Sequence, residues 1–259
     1  DIINIIESVA PLSYQEDWDN SGLQVGNRNA EIKAALLTVD VTESVVNEAI
    51  LLGCDLIISH HPLLFRGLKQ LTGSTPQERC VEQAIRHNIA IYSAHTSMDS
   101  YLHGVSGRMA EKLGVDNYRI LIPSTSNIQV GLGVIGELQE AMDNEAFVAH
   151  VANVFAAPSA PLRWVEGAKK TVKKVAICGG AGAEFVEQAI AQGADAYISA
   201  DFKYHELQSA YQRITVVDMD HWVSEHFTRE IFEELLSAHV TTYIAKTDDS
   251  PVRFWKQEY

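Results

Sequence analysis

Short apolar runs alternate with stretches of helical periodicity along most of this chain. Residues 34–40 read AALLTVD, an almost unbroken apolar run that predicts a strand buried on both faces. Thr42 follows as a helix N-cap, Val45, Val46, Ala49 and Ile50 recur at helical spacing, and Gly53 closes the helix. Residues 55–59 (DLIIS) form a second buried run. Strand, helix and strand within about thirty residues make a βαβ unit, which implies parallel pairing. Helix and strand follow once more over residues 77–93, ending in IAIYS.

The same grammar returns later. Residues 174–178 predict a strand, 179–182 a tight glycine turn, 183–192 a helix and 196–199 a strand. Adding 140 to each residue number lays one unit on the other: Val46 falls on Val186, Ala49 on Ala189, Ile50 on Ile190, Gly53 on Gly193, Asp55 on Asp195, Ile58 on Ile198 and Ser59 on Ser199. Those seven identities fit an old internal duplication and equally fit the generic pattern of a βαβ unit. Either way, His60 and His61 fall on Ala200 and Asp201, so one histidine-bearing strand end is expected, not two.

These elements predict an α/β fold of two lobes with mixed, largely parallel sheets. One lobe is expected over residues 1–122 plus 215–259 and carries the metal-binding residues; the other spans 123–214. Within the second, the GLGVIGEL run predicts a strand and residues 145–155 a helix. The ITVVDM strand and a helix over 224–238 are expected to return to the first lobe, with an edge strand after Val240.

Composition narrows the function. The chain has 259 residues, 46% of them apolar and 21% charged, as in an ordinary globular protein. No apolar run approaches the roughly 18 residues of a membrane span, and no basic-then-apolar leader opens the chain. The net charge of -14 argues against nucleic acid as a partner, since affinity there comes largely from phosphate neutralisation, and it favours cations. Cys54, Cys80 and Cys178 are odd in number and make no CxxC pair, so neither a thiolate zinc site nor a disulfide framework is indicated, and the cytoplasm is the expected compartment.

In parallel α/β sheets, ligands bind beyond the carboxyl ends of the strands. Four such ends carry suitable side chains: Asp40; His60 and His61 before Pro62; the run from His95 to Asp99; and Asp218, followed by His221. Pro62 holds His61 extended, so the two adjacent rings can fan out toward two ions. His221 and Glu225 are four apart at a predicted helix start and share one face. Taken singly, each signal has a plain alternative: two surface histidines, a helix-surface pair, or Asp99 capping a turn. Together His60, His61, Asp99, His221 and Glu225 give three imidazoles and two carboxylates, a set suited to two divalent ions of zinc, iron, manganese, cobalt or nickel. His95 could be a ligand itself, a hydrogen-bonded neighbour of the ligands or a proton carrier, and the second of these is the expectation, because metal-bound histidines and carboxylates need hydrogen-bonded partners. Trp18 to Gly22 (WDNSG) is a loop reaching the site or merely a turn; the glycines at 179–182 lack a phosphate-loop signature and read as a tight turn; His205 and Glu206 are outer groups or ordinary helix-start residues.

Six stretches occur in a fixed order: WDNSGLQVG (18–26), SHHPLLFRGLK (59–69), SAHTSMD (93–99), CGGAG (178–182), ADFKYHE (200–206) and DMDHWVSEHF (218–227). The set resembles the GTP cyclohydrolase I type 2 homologs, the Nif-three-like family. The resemblance implies two interlocked α/β lobes, a ring-shaped homohexamer, and a dinuclear metal centre on His60, His61, Asp99, His221 and Glu225. The family motif usually has glycine and tyrosine where this chain has Asp220 and Trp222, a change in the wall of the site that leaves both ligands in place. The family name implies a hydrolase opening a purine ring by way of a metal-activated water. A metal-binding scaffold, regulator or metal-delivery protein is the other function class. The small-molecule substrate is not legible.

Overall fold

A computed structural model describes residues 2–155, 161–248 and 250–253. In chain order the elements are α1 (Ile2–Val9), β1 (Gly22–Val25), β2 (Ala34–Thr38), α2 (Glu43–Leu52), β3 (Leu56–Ser59), α3 (Pro76–Arg86), β4 (Ala90–Ser93), α4 (Thr96–Asp99), α5 (Val105–Leu113), β5 (Val115–Pro123) and β6 (Gly131–Asp143). They continue with α6 (Asn144–Phe155), β7 (Arg163–Val165), β8 (Thr171–Ala181), α7 (Val186–Ala191), β9 (Ala196–Ala200), α8 (Tyr204–Ala210), β10 (Thr215–Met219), α9 (His221–Glu225), α10 (Thr228–Leu236) and β11 (Thr241–Ile244). Among the described residues, 2–100 and 226–248 form one compact unit, and 101–225 with 250–253 form a second.

The first unit holds a five-stranded sheet in the order β1-β4-β3-β2-β11. β4, β3, β2 and β11 run parallel, and β1 closes the edge antiparallel to β4. Every residue of β2 and β3 is buried, as a central parallel strand covered on both faces requires. α2 starts where Thr42 Oγ1 accepts from Val45 N at 3.2 Å and stops at Gly53, whose φ of 68° suits glycine. Val45, Val46 and Ala49 of α2 pack with Leu36, Ile57, Ile91 and Ala84 in one core.

The second unit holds a six-stranded sheet, β5-β6-β8-β9-β10-β7, parallel only across β8, β9 and β10. Its core gathers Leu121, Ile135, Ala176, Val186, Ala189, Tyr197 and Val216. The unit boundaries differ from the expected 122/123 and 214/215. Residues 101–122 carry α5 and β5, and β5 pairs with β6 of the second sheet. ITVVDM forms β10 between β9 and β7, not a strand of the first sheet. An apolar strand does not state in its own sequence which sheet it joins. The helix expected over 224–238 is broken into α9 and α10.

The repeat at 140 extends to hydrogen bonds. Ala35 pairs Leu56, and Val175 pairs Ala196; Leu37 pairs Ile58, and Ile177 pairs Ile198. Asp55 Oδ2 accepts from Lys33 N and Ala34 N at 2.8 and 3.2 Å, while Asp195 Oδ2 accepts from Lys173 N and Lys174 N at 3.0 and 2.8 Å. One carboxylate thus ties the entry of each unit's second strand to the first strand. Generic βαβ grammar asks for apolar strands and a glycine, but not for this side-chain contact at the same offset.

Candidate metal centre

In the first unit, β3 delivers His60 and His61 as the chain leaves the sheet. Pairing continues past the strand, with His60 N donating to Thr38 O at 3.2 Å and His61 N to Val39 O at 2.9 Å. Ser59 Oγ, itself 2.7 Å from Ser93 Oγ, donates to His61 O at 2.8 Å and fixes that peptide. The His60 ring is fully buried, and the two rings stand 5.1 Å apart at 44°. His95, just beyond β4, places its ring 5.3 Å from His60 and 5.5 Å from His61. One ligand atom from each of the three lies within 4.8 Å of the others. Asp99, at the end of α4, brings Oδ1 to 3.6 Å from His60 Nε2.

Each of these rings has its Nδ1 engaged by an oxygen. His60 Nδ1 meets Ala94 O at 3.0 Å, His61 Nδ1 meets Asp40 Oδ1 at 2.8 Å, and His95 Nδ1 meets Asp19 Oδ1 at 2.8 Å. An oxygen acceptor at Nδ1 selects the Nδ1–H tautomer and leaves Nε2 as the donor toward a metal. Asp19 also accepts from Thr96 N and Oγ1 at 3.1 and 2.6 Å. Burial alone pushes the Asp19 carboxyl up, but the hydrogen bonds from His95 and Thr96 prevail and hold it well below the usual carboxylate range. It is therefore an anion at neutral pH, as an orienting partner for an imidazole must be.

In the second unit, α9 places His221 and Glu225 on one face, with His221 Nε2 3.0 Å from Glu225 Oε2. His221 Nδ1 meets Asp201 Oδ2 at 2.7 Å, repeating the carboxylate–imidazole pairing of the first unit. Asp201 adopts φ 60°, a conformation aspartate tolerates better than most residues. The Glu225 carboxylate is almost wholly buried and lies against the backbone of Gly180, which has φ 67°. A Cβ at Gly180 would sit well under 3.0 Å from Glu225 Oε1, so any larger residue would have to push this carboxylate aside. Gly180 N donates to Ser224 Oγ at 2.8 Å, and Ser199 Oγ donates to Gly180 O at 2.9 Å.

The donor chemistry in each unit fits a divalent cation: imidazoles with oriented Nε2 atoms, their Nδ1 atoms held by carboxylates at His61, His95 and His221 and by the Ala94 carbonyl at His60. No described helix is long and apolar enough to cross a membrane. The Duf34/NIF3 (NGG1p interacting factor 3) family matches residues 1–251. The chain belongs to that family. It is 34% identical to a GTP cyclohydrolase 1 type 2 homolog of Clostridium perfringens over 98% of both chains, and 35% identical to a protein of the same name from Clostridium acetobutylicum over 87% of this chain and 84% of that one. Among solved structures, a NIF3-related protein of Bacillus cereus superposes with a TM-score of 0.88 at 25% identity, covering 98% of each chain.

Within this NIF3 chain, sequence reasoning placed His95 beside the ligands; the structure puts its ring in one cluster with His60 and His61. The WDNSG loop does reach the site, through Asp19. Asp218 is bound to the Arg163 guanidinium and Phe202 N. His205 meets Gln208, and Glu206 caps Lys203 N at 2.7 Å, so both are helix-start residues. The glycines at 179–182 are more than a turn: β8 continues through Ala181, with its register shifted between Ile177 and Ala181. Asp19 and Asp201 went unrecognised as imidazole partners. For Asp201, the signal was its alignment with His61 in the repeat.

Proposed function

We propose that this NIF3 protein is a dinuclear, divalent-metal-dependent hydrolase. A ligand set of His60, His61, Asp99, His221 and Glu225 would hold two ions of zinc, iron, manganese, cobalt or nickel. The observation that carries this reading is the His60, His61 and His95 cluster, its ligand atoms within 4.8 Å and its Nδ1 atoms held by Ala94 O, Asp40 and Asp19. When bound, such ions act as Lewis acids and bring the pKa of water toward neutrality.

The protein's own groups do the rest. Asp40, Asp19 and Asp201 fix ring orientation. His95, more exposed than His60, is suited to carry a proton between the site and solvent. The name of the Clostridium relatives supports a ring-opening hydrolysis of a purine nucleotide as the first substrate class to try. A homohexameric ring and a cytoplasmic location complete the reading.

Elemental analysis of wild type should find close to two metal equivalents per chain, falling sharply in His61→Ala and Glu225→Ala. The metal-loaded protein is screened against nucleotides, cyclic amidines, phosphoesters and peptides beside those variants. Turnover abolished in both variants supports the hydrolase. Absence of turnover on every class, with ready transfer of metal to an acceptor, replaces it with a metal-delivery or scaffold role. Size measurement in solution tests the hexamer.

A further inference from the structure

Two large aromatic side chains stand exposed beside the histidine cluster of the first unit. Trp18 is 60% and Phe65 46% exposed. Their rings meet edge to face at 6.0 Å and 62°, and each also meets His95, at 6.0 and 6.4 Å. The two come from different loops, and those loops are tied together: Asn20 Nδ2 donates to Leu64 O at 2.7 Å, Leu64 N donates to Gln24 Oε1 at 3.1 Å, and Gln24 Nε2 donates to Asn20 O at 2.6 Å. The two loops are therefore held to each other, while Trp18 and Phe65 stay exposed. Trp18 and Phe65 meet each other and His95, so they form a clustered aromatic patch and not singly scattered surface residues.

The same loop supplies charge. Arg66 directly follows Phe65, with Lys69 three residues beyond, and both are exposed. In a chain with 20 cationic and 34 acidic residues, two exposed cations on one short loop are a local reversal of sign. Neither makes an ion pair among the described residues. A rigid aromatic face beside a cationic loop matches a planar ring that carries an anionic group.

We propose that Trp18 and Phe65 form a stacking subsite for a planar heteroaromatic ring, and that Arg66 and Lys69 receive a phosphate or carboxylate borne by the same molecule. This rests on the hydrolase reading above and adds to it the residues that would hold the ring and the anionic group of the substrate. A ring on Trp18 lies next to His95, so a reactive ring atom or substituent is presented to the histidine cluster. Asn20 and Gln24 are positioning residues that keep the two loops in register.

The test is calorimetric titration of metal-analysed protein with guanosine 5′-monophosphate, guanosine and ribose 5-phosphate. Wild type should bind the nucleotide most tightly. Trp18→Ala should weaken the nucleotide and the nucleoside alike by about tenfold, within the range of base–aromatic stacking, and Trp18→Phe should recover part of the loss. Arg66→Ala should weaken the nucleotide but leave the nucleoside unchanged, and should flatten the salt dependence. Metal equivalents should be the same in all variants, which separates this subsite from the metal proposal. If wild type binds none of the three, or if Trp18→Ala binds the nucleotide as wild type does, the subsite is refuted. A change of oligomeric state in Trp18→Ala, without loss of nucleotide affinity, reassigns the patch to a subunit interface.

Discussion

Gly180 offers a sharp test because a matched control lies in the same unit. Gly180 and Gly193 both adopt positive φ, 67° and 77°. A Cβ at Gly193 meets nothing within 4 Å, whereas one at Gly180 drives into Glu225 Oε1 and comes within 3.5 Å of His221 Cε1. Gly193→Ala therefore measures backbone strain alone, about 1–2 kcal/mol for a left-handed L-residue. Gly180→Ala carries the same strain and must also push a buried carboxylate aside, which adds about 1–3 kcal/mol by analogy with overpacked cores. For a chain of this size the extra term corresponds to a further fall of about 2–12 °C in Tm. The displaced group is also one of the proposed ligands. Thermal unfolding and elemental analysis of the two variants in parallel should show Gly193→Ala destabilised with full metal content, and Gly180→Ala more destabilised with reduced metal content. Equal Tm and equal metal in the two variants would refute the close packing of Glu225 on Gly180.

Three further outcomes follow from the structure. Asp201→Ala removes the oxygen that fixes the His221 tautomer and should weaken metal binding by about 10–100-fold, read by competition with a chelator, while leaving the fold intact. Asp195 is pushed up by burial but pulled down further by Lys169 and the Lys173 and Lys174 N–H groups, so its folded pKa is lowered. Its stabilising contribution is present above the unfolded value near 3.9 and fades as pH falls through the folded value; the Tm gap between wild type and Asp195→Asn should be widest at neutral pH and close in acid. Thr42→Ala removes the cap on Val45 N and should cost about 1 kcal/mol in denaturant unfolding with no change in metal content.

Much of the fold was legible in the sequence because parallel βαβ units write themselves in local pattern. AALLT and LIIS are apolar throughout because both faces are covered, and Thr42 and Gly53 mark the ends of α2 by local chemistry. Membership in a sheet is a different matter. TVVDM forms β10 of the second sheet, yet nothing in its own residues distinguishes that place from one in the first, since strand pairing is decided by partners distant in sequence. The site divides along the same line. His60, His61 and the His221–Glu225 spacing are local patterns, while Asp19 reaches His95 across 76 residues and Gly180 meets Glu225 only in the folded unit.

The duplication supplies the connecting argument. Asp55 and Asp195 keep the same contact in both copies, so the two βαβ units share their internal geometry down to single hydrogen bonds. Their strand ends have nonetheless diverged. The first copy ends in His60 and His61, two imidazoles; the second ends in Ala200 and Asp201, of which Ala200 is wholly buried and Asp201 orients His221. In the first unit the orienting carboxylate, Asp40, comes from the neighbouring strand end, and the imidazole comes from the repeat itself. In the second unit the roles are exchanged, the repeat giving the carboxylate and α9 the imidazole. The same two-group pairing is thus built twice on two βαβ units of matching geometry. That is why the second copy looks empty when it is read for histidines alone.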